Sequence, residues 1–222
     1  MNTGSKLIIF DWDGTLMDSE AQIVNCLRDA IADLQFAERT DDQMKNIIGL
    51  GLAEAFSVLY PEGSPVEYKA LIDRYRYHFL EVNKTPAMLF DGVEDMLQEL
   101  SAQGHYLAVA TGKGRAGLDK VLRETGMAEH FHVSRCADEC FSKPHPQMLL
   151  EIMDFVGVDA KDALMIGDTE YDLQMANNAG VKSLAVSYGV HEKQRLLQHQ
   201  PLDMVDDIAA LRTWLQLNYT AA

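Results

Sequence analysis

Leu7-Ile8-Ile9-Phe10-Asp11-Trp12-Asp13-Gly14-Thr15-Leu16 decides how the chain folds. Four apolar residues run without alternation. Such a segment leaves no face for water and predicts a strand buried on both sides of a parallel sheet. Two carboxylates follow at once. Asp11 and Asp13, one residue apart, point roughly the same way at the strand end, while Trp12 between them turns toward the core. Two anions in an apolar crevice repel, so a proton or a cation must sit between them.

Three further runs share this form. Tyr106 to Ala110 ends in Thr111-Gly112, Ala163 to Ile166 ends in Gly167-Asp168, and Lys182 to Val186 ends near Gly189. Helical stretches separate them. Asp91 with Glu94 has the form of a capping box, Pro144 and Pro146 open a helix that Gly157 closes, and residues 169–179 read as a helix ended by Gly180. Buried strands alternating with helices predict an α/β fold, a Rossmann-like open parallel sheet.

Residues 18–86 interrupt that alternation without a strand signal. Four helices are expected there: one near 18–34, one capped by Thr40 and Gln43, one after Gly49-Leu50-Gly51, and one opened by Ser64-Pro65 with Glu67. An insertion this long is no crossover loop. The expected organisation is a catalytic core of residues 1–17 and 87–222 with a four-helix cap over 18–86.

The 222 residues are 47% hydrophobic, enough for one core and a smaller appended unit. A net charge of -15 repels a phosphate backbone, so nucleic acid is a poor partner. Any phosphate chemistry must supply its own positive charge. No apolar run is long enough to span a bilayer, and Met1 to Lys6 with the short run after it does not read as a leader. A cytoplasmic protein with no membrane partner, monomeric by default, is the expectation. Cys26, Cys136 and Cys140 make no disulfide framework, and the C-x3-C pair lacks a second ligand pair.

The strand ends carry the chemistry. Carboxylates at 11, 13, 168 and 172, grouped with backbone carbonyls, make a hard-oxygen site suited to Mg²⁺. Lys143 adds a mobile positive charge, and Thr111 and the Gly112 N–H add donors. Phosphoryl transfer needs little beyond positioning and charge stabilisation.

DWDGTLMDS, a threonine at a strand end, SKP and GDTEYD, in this order, resemble the haloacid dehalogenase superfamily, and the helical insertion resembles its phosphoglycolate phosphatase-like subgroup. The resemblance implies a phosphatase that hydrolyses a small phosphorylated metabolite through an aspartyl-phosphate. Asp11 is then the nucleophile, and Asp13 protonates the leaving oxygen and later deprotonates water. Thr111 and Lys143 hold the phosphoryl oxygens. The Asp11 side chain, the Asp13 carbonyl and Asp168 bind Mg²⁺, with Asp172 supporting. Gly14, Thr15 and Gly112 shape the phosphate site, and the loop Gly49-Leu50-Gly51 faces the substrate.

Other chemistries of that superfamily are alternatives. A dehalogenase lacks the second aspartate, present here as Asp13. A phosphonate hydrolase needs a lysine in the cap loop and a phosphomutase an arginine, and neither stands there. A non-catalytic binding module would have lost one of Asp11, Asp13, Lys143 or Asp168. Lys113, Arg115 and Lys120 read as a solvated helix face, His130 and His132 as structural, and His145 as a residue that could line the site.

Overall fold

The unbroken apolar run forms β1 (Leu7–Phe10), buried along its whole length. A computed structural model of the chain describes residues 6–219, so the reading of Met1 to Ser5 lies outside the described residues. After β1 the chain leaves through β2 (Met17–Asp18) into α1 (Glu20–Asp33), α2 (Asp41–Asn46), α3 (Leu52–Leu59) and α4 (Pro65–Tyr77). A π-helical turn, His78–Val82, extends α4. The chain returns through β3 (Met88–Leu89), which pairs antiparallel with β2. Then follow α5 (Val93–Ala102), β4 (Tyr106–Thr111), α6 (Arg115–Thr125), β5 (Val133–Cys136), α7 (Gln147–Val156), β6 (Ala163–Gly167), α8 (Glu170–Ala179), β7 (Lys182–Val186), α9 (Lys193–Leu197), β8 (Met204–Val205) and α10 (Ile208–Asn218).

The main sheet is parallel throughout, in the order β5-β4-β1-β6-β7-β8. The chain winds outward from β1 in one direction, then crosses to β6 and winds in the other. Such a reversal opens a crevice at the carboxyl ends of the two central strands, where open α/β sheets bind ligands. Alternate residues of β1 feed opposite layers. Ile8 and Phe10 join a core that runs on into Leu27, Phe56 and Leu71 of the insertion. Leu7 and Ile9 pack with Met148, Leu149 and Ile152 of α7. Trp12 is fully buried in the first layer, as its alternation predicts.

Two helix starts are capped where the sequence placed them. Thr40 with Gln43 and Ser64 with Glu67 form reciprocal capping boxes at α2 and α4. The Asp91–Glu94 box does not form. Gly92 adopts φ 89° and is itself the N-cap of α5, which shifts the helix start past the position Asp91 would need.

Candidate active site

β1 delivers Asp11 to the crevice, and the Asp11 N–H donates to Ile166 O of β6 at 2.9 Å, so the backbone beneath the carboxylate is held by the neighbouring strand. The next turn folds back on itself: Leu16 and Met17 donate to Trp12 O, and Gly14 donates to Met17 O. Gly14 has φ 80°, and a Cβ there would lie 2.3 Å from Asp168 Oδ2. A side chain at 14 would both strain the backbone and displace Asp168.

Four buried charged groups meet at this point. Lys143 Nζ donates to Asp172 Oδ1 at 2.6 Å and lies 2.8 Å from Asp11 Oδ1 in an ion-pair contact without hydrogen-bond geometry. Both Asp11 oxygens are therefore buried with no hydrogen-bond partner. Asp168 accepts from Thr15 Oγ1 at 2.8 Å and from the Val190 N–H at 2.8 Å. Asp172 also closes the capping box of α8 with Thr169, so the helix N-terminus fixes the carboxylate that holds Lys143.

Burial pushes the Asp11 carboxyl well above the usual carboxylate range. The Lys143 ammonium opposes this, while Asp172, Asp168 and Asp13 add to it. Burial, reinforced by Asp172, pushes Asp168 up to about 7 against its two hydrogen-bond donors. Burial also works against the Lys143 charge, but Asp11 and Asp172 outweigh it and hold its pKa above the ordinary lysine value. A site with more negative than positive charge, and with orphaned carboxylate oxygens, is short of one cation.

Side-chain oxygens of Asp11, Asp168 and Asp172 come within 4.8 Å of one another, the one group of potential metal ligands among the described residues. The donor set is all oxygen, which fits Mg²⁺. Asp13 contributes no side-chain atom to it. Its carboxylate instead accepts from Ser19 Oγ at 2.5 Å and lies 3.0 Å from Lys113 Nζ. Ser19 is the N-cap of α1, but its hydroxyl serves Asp13 and not the helix.

A cavity of about 240 Å³ opens over Asp11 and Asp13. Thr111, Gly112, Gly49 and Leu50 line it as well, so these sequence-predicted residues face one space. Thr111 Oγ1 accepts from the Lys113 N–H, leaving its own proton to donate. Gly51 is fastened elsewhere: its N–H donates to Ser142 Oγ at 2.8 Å, next to Lys143. Thr15 points its hydroxyl at Asp168, which gives it a share in placing that acid.

The insertion is clipped at a second point. Asn46 O accepts from Tyr171 Oη at 2.9 Å and lies 3.3 Å from His191 Nε2, while Asn46 Oδ1 accepts from Arg195 Nη1 at 2.9 Å. The loop between these fasteners presses on the core. A Cβ on Gly112 would sit 2.5 Å from Gly49 O and 2.6 Å from Leu50 O.

Lys113 departs from its reading as a solvated residue. It precedes α6, its side chain is buried, and its ammonium lies 4.3 Å from the centre of the Phe79 ring as well as beside Asp13. Its position directly after Thr111-Gly112 was the available signal. Arg115 and Lys120 are surface ion-paired residues, with Glu139 and Glu124. His145 packs on Phe141 and does not line the cavity. His132 accepts from the Leu107 N–H, a structural contact. No described helix is long and apolar enough to cross a membrane.

Comparison with known proteins supplies the family. The chain is 36% identical over 206 residues to the probable phosphatase IndB of Dickeya dadantii, covering 90% of this chain and 89% of that one. It is 30% identical over 212 residues to a phosphoglycolate phosphatase of Agrobacterium fabrum, covering 93% and 91%. Among solved structures, a haloacid dehalogenase-like family hydrolase from Streptococcus pneumoniae superposes with a TM-score of 0.81 at 23% identity, covering 97% and 100%, a likeness of fold. The family model for haloacid dehalogenase-like hydrolases matches residues 8–186, and the chain belongs to that family.

Proposed function

We propose that this phosphatase hydrolyses phosphate monoesters of small metabolites with Mg²⁺, using Asp11 as nucleophile. The observation that carries the reading is the Asp11 carboxylate: buried at the central strand end, with both oxygens lacking hydrogen bonds, in a residue that lines the cavity. The names of the relatives agree, one a probable phosphatase and one a phosphoglycolate phosphatase. Residues 1–17 and 87–222 act as the catalytic core, and 18–86 as a cap that closes the cavity.

Asp11, Asp168 and the Asp13 carbonyl would hold the Mg²⁺, with Asp172 beside them. The ion supplies charge that lets one anion approach another and polarises a phosphoryl oxygen. The chain's own groups do the rest. Lys143, held by Asp172, places its ammonium against the phosphoryl oxygens, and the Thr111 hydroxyl and Gly112 N–H donate to them. An Asp11 oxygen attacks phosphorus while the Asp13 carboxyl gives its proton to the departing alkoxide. Asp13, now a carboxylate, takes a proton from the water that cleaves the aspartyl-phosphate. Ser19 and Lys113 orient Asp13 for both tasks.

Asp13→Asn keeps the nucleophile and removes the base. Rapid quench with p-nitrophenyl phosphate, followed by peptide mass spectrometry, is expected to find a phosphoryl group on the Asp11 peptide. Turnover by that variant with no label at Asp11 would instead favour direct attack by water.

A further inference from the structure

The cavity has two unlike sides. Toward the core it presents Asp11, Asp13 and Thr111; toward the insertion it presents Ile23, Leu27, Ile48, Leu50, Tyr75 and Phe79. If phosphorus sits over Asp11, the leaving group extends into the second side. Tyr75 and Phe79 lie there with ring centres 6.0 Å apart and planes within 16°. Leu50 projects from a loop fastened on one side by the Gly51 N–H to Ser142 Oγ and on the other by Asn46 O, which accepts from Tyr171 Oη.

The cations lining this space are Lys113 and Arg76. Neither is free. Lys113 is 3.0 Å from Asp13, the acid and base of the proposed reaction. Arg76 is 3.6 Å from Asp138, which also lines the cavity. A carboxylate or second phosphate on the leaving group would be desolvated against aliphatic and aromatic side chains. The cations it could reach already face carboxylates, Lys113 in a buried pair with Asp13 and Arg76 in a half-exposed one with Asp138 at the edge of the cavity. An uncharged, apolar leaving group meets no such penalty and gains by burial.

Resting on the phosphatase reading, we infer that the substrate is the phosphate monoester of an alcohol whose remaining part is uncharged, largely apolar and of ring size. The cavity reads charge as well as shape. Small esters with a second anionic group, such as carboxymethyl phosphate, fill it poorly and place that charge against the apolar side.

The test compares benzyl phosphate, its para-carboxylate derivative and 2-phosphoglycolate with the full chain and Mg²⁺, by phosphate release. The first two share ring, ester bond and near-equal leaving-group basicity, so they isolate the charge. The expected result is a kcat/KM for benzyl phosphate at least about tenfold above that of either carboxylate ester. Leu50→Lys places an unpaired ammonium in the apolar side and is expected to narrow or reverse that ratio. Equal or better hydrolysis of the carboxylate esters by the unmodified chain overturns the inference while leaving the phosphatase reading intact, and needs no variant to fold. Absence of phosphate release from all three, together with no label on Asp11, overturns the phosphatase reading and this inference with it.

Discussion

The two sides of the cavity are built on opposite principles. On the strand-end side, Asp11, Asp13, Lys143, Asp168 and Asp172 are all buried, and most of their polar atoms are bound to another of the set or to a fixed hydroxyl or N–H. On the helical side the lining is aliphatic and aromatic, and its residues come from α1, α3, α4, the π-helical turn and the 47–50 loop. A preorganised polar site recognises one group, and its value lies in not moving. An apolar wall recognises volume and can repack around changes of a methylene or two. The first side therefore suits what every substrate shares, and the second what distinguishes one substrate from another.

The sharpest way to break this division is to alter the shared side. Asp11→Asn is nearly isosteric and relieves charge crowding, so the fold should survive with an unchanged or raised melting temperature. Turnover should fall by about 10⁴-fold or more for every ester, whatever its leaving group. A variant that kept activity on some esters and lost it on others would place Asp11 on the wrong side of the comparison. Removing the metal comes next. Excess EDTA should lower kcat by about a thousandfold or more, since electrostatic stabilisation by such an ion is worth several kcal/mol, and Mg²⁺ should restore it. The loss should again be the same for charged and uncharged leaving groups.

Gly112 stands where the two sides touch. Gly112→Ala sets a methyl against two carbonyl oxygens of the 47–50 loop, both backbone and hence slow to yield. A displacement of about 1 Å in a positioned site costs about a hundredfold. Steady-state kinetics should show that loss mainly in kcat, with the ranking of esters compressed because the apolar wall has moved off the leaving group.

The smallest expected effect is on stability. Asp168 titrates near 7 in the folded metal-free protein and Asp11 is shifted upward as well, both chiefly by burial. The folded state therefore holds protons that the unfolded state has released. Stability from Asp168 is fully present below the ordinary carboxylate pKa and is lost as pH rises through about 7, and Asp11 acts in the same sense. Mg²⁺, held by the deprotonated carboxylates as proposed, should reverse the loss. Thermal melts with and without Mg²⁺ should show a metal-induced rise in Tm that grows between pH 5 and 8, by a few degrees at ~2–4 °C per kcal/mol for a chain of this size. A difference independent of pH would mean that these acids are already ionised without the ion.

The strand-end side was legible in the sequence because its rules are local. A buried strand must end, and the residue types just past Phe10, Ala110 and Ile166 announced polar tasks. Thr40 with Gln43 and Ser64 with Glu67 announced helix starts through bonds spanning three residues. The β2–β3 ribbon, two residues per strand, was too short to leave a pattern, and the π-helical turn after Tyr77 has no signal separable from α4. The apolar side was illegible for another reason. Leu27, Leu50, Phe79 and Lys113 look in sequence like core, loop, core and surface. Only the packing of the insertion onto the sheet makes them one wall. Lys113 misleads most, since its burial depends on Phe79 and Asp13, distant in the chain.

The fasteners on Asn46 and Gly51 bear on timing. In the proposed two-step reaction the alcohol must depart and a water must enter while the phosphoryl group remains on the enzyme. The closed loop is held by Tyr171, Arg195 and Ser142, with His191 nearby, hydrogen bonds each worth about 0.5–1.5 kcal/mol net. Releasing these hydrogen bonds costs only a few kcal/mol, and the apolar contacts that the 47–50 loop makes add to it, a scale that lid motions on the microsecond-to-millisecond range can meet. An aspartyl-phosphate, if it forms as proposed, would keep the phosphoryl group in place while the loop opens and exchanges alcohol for water.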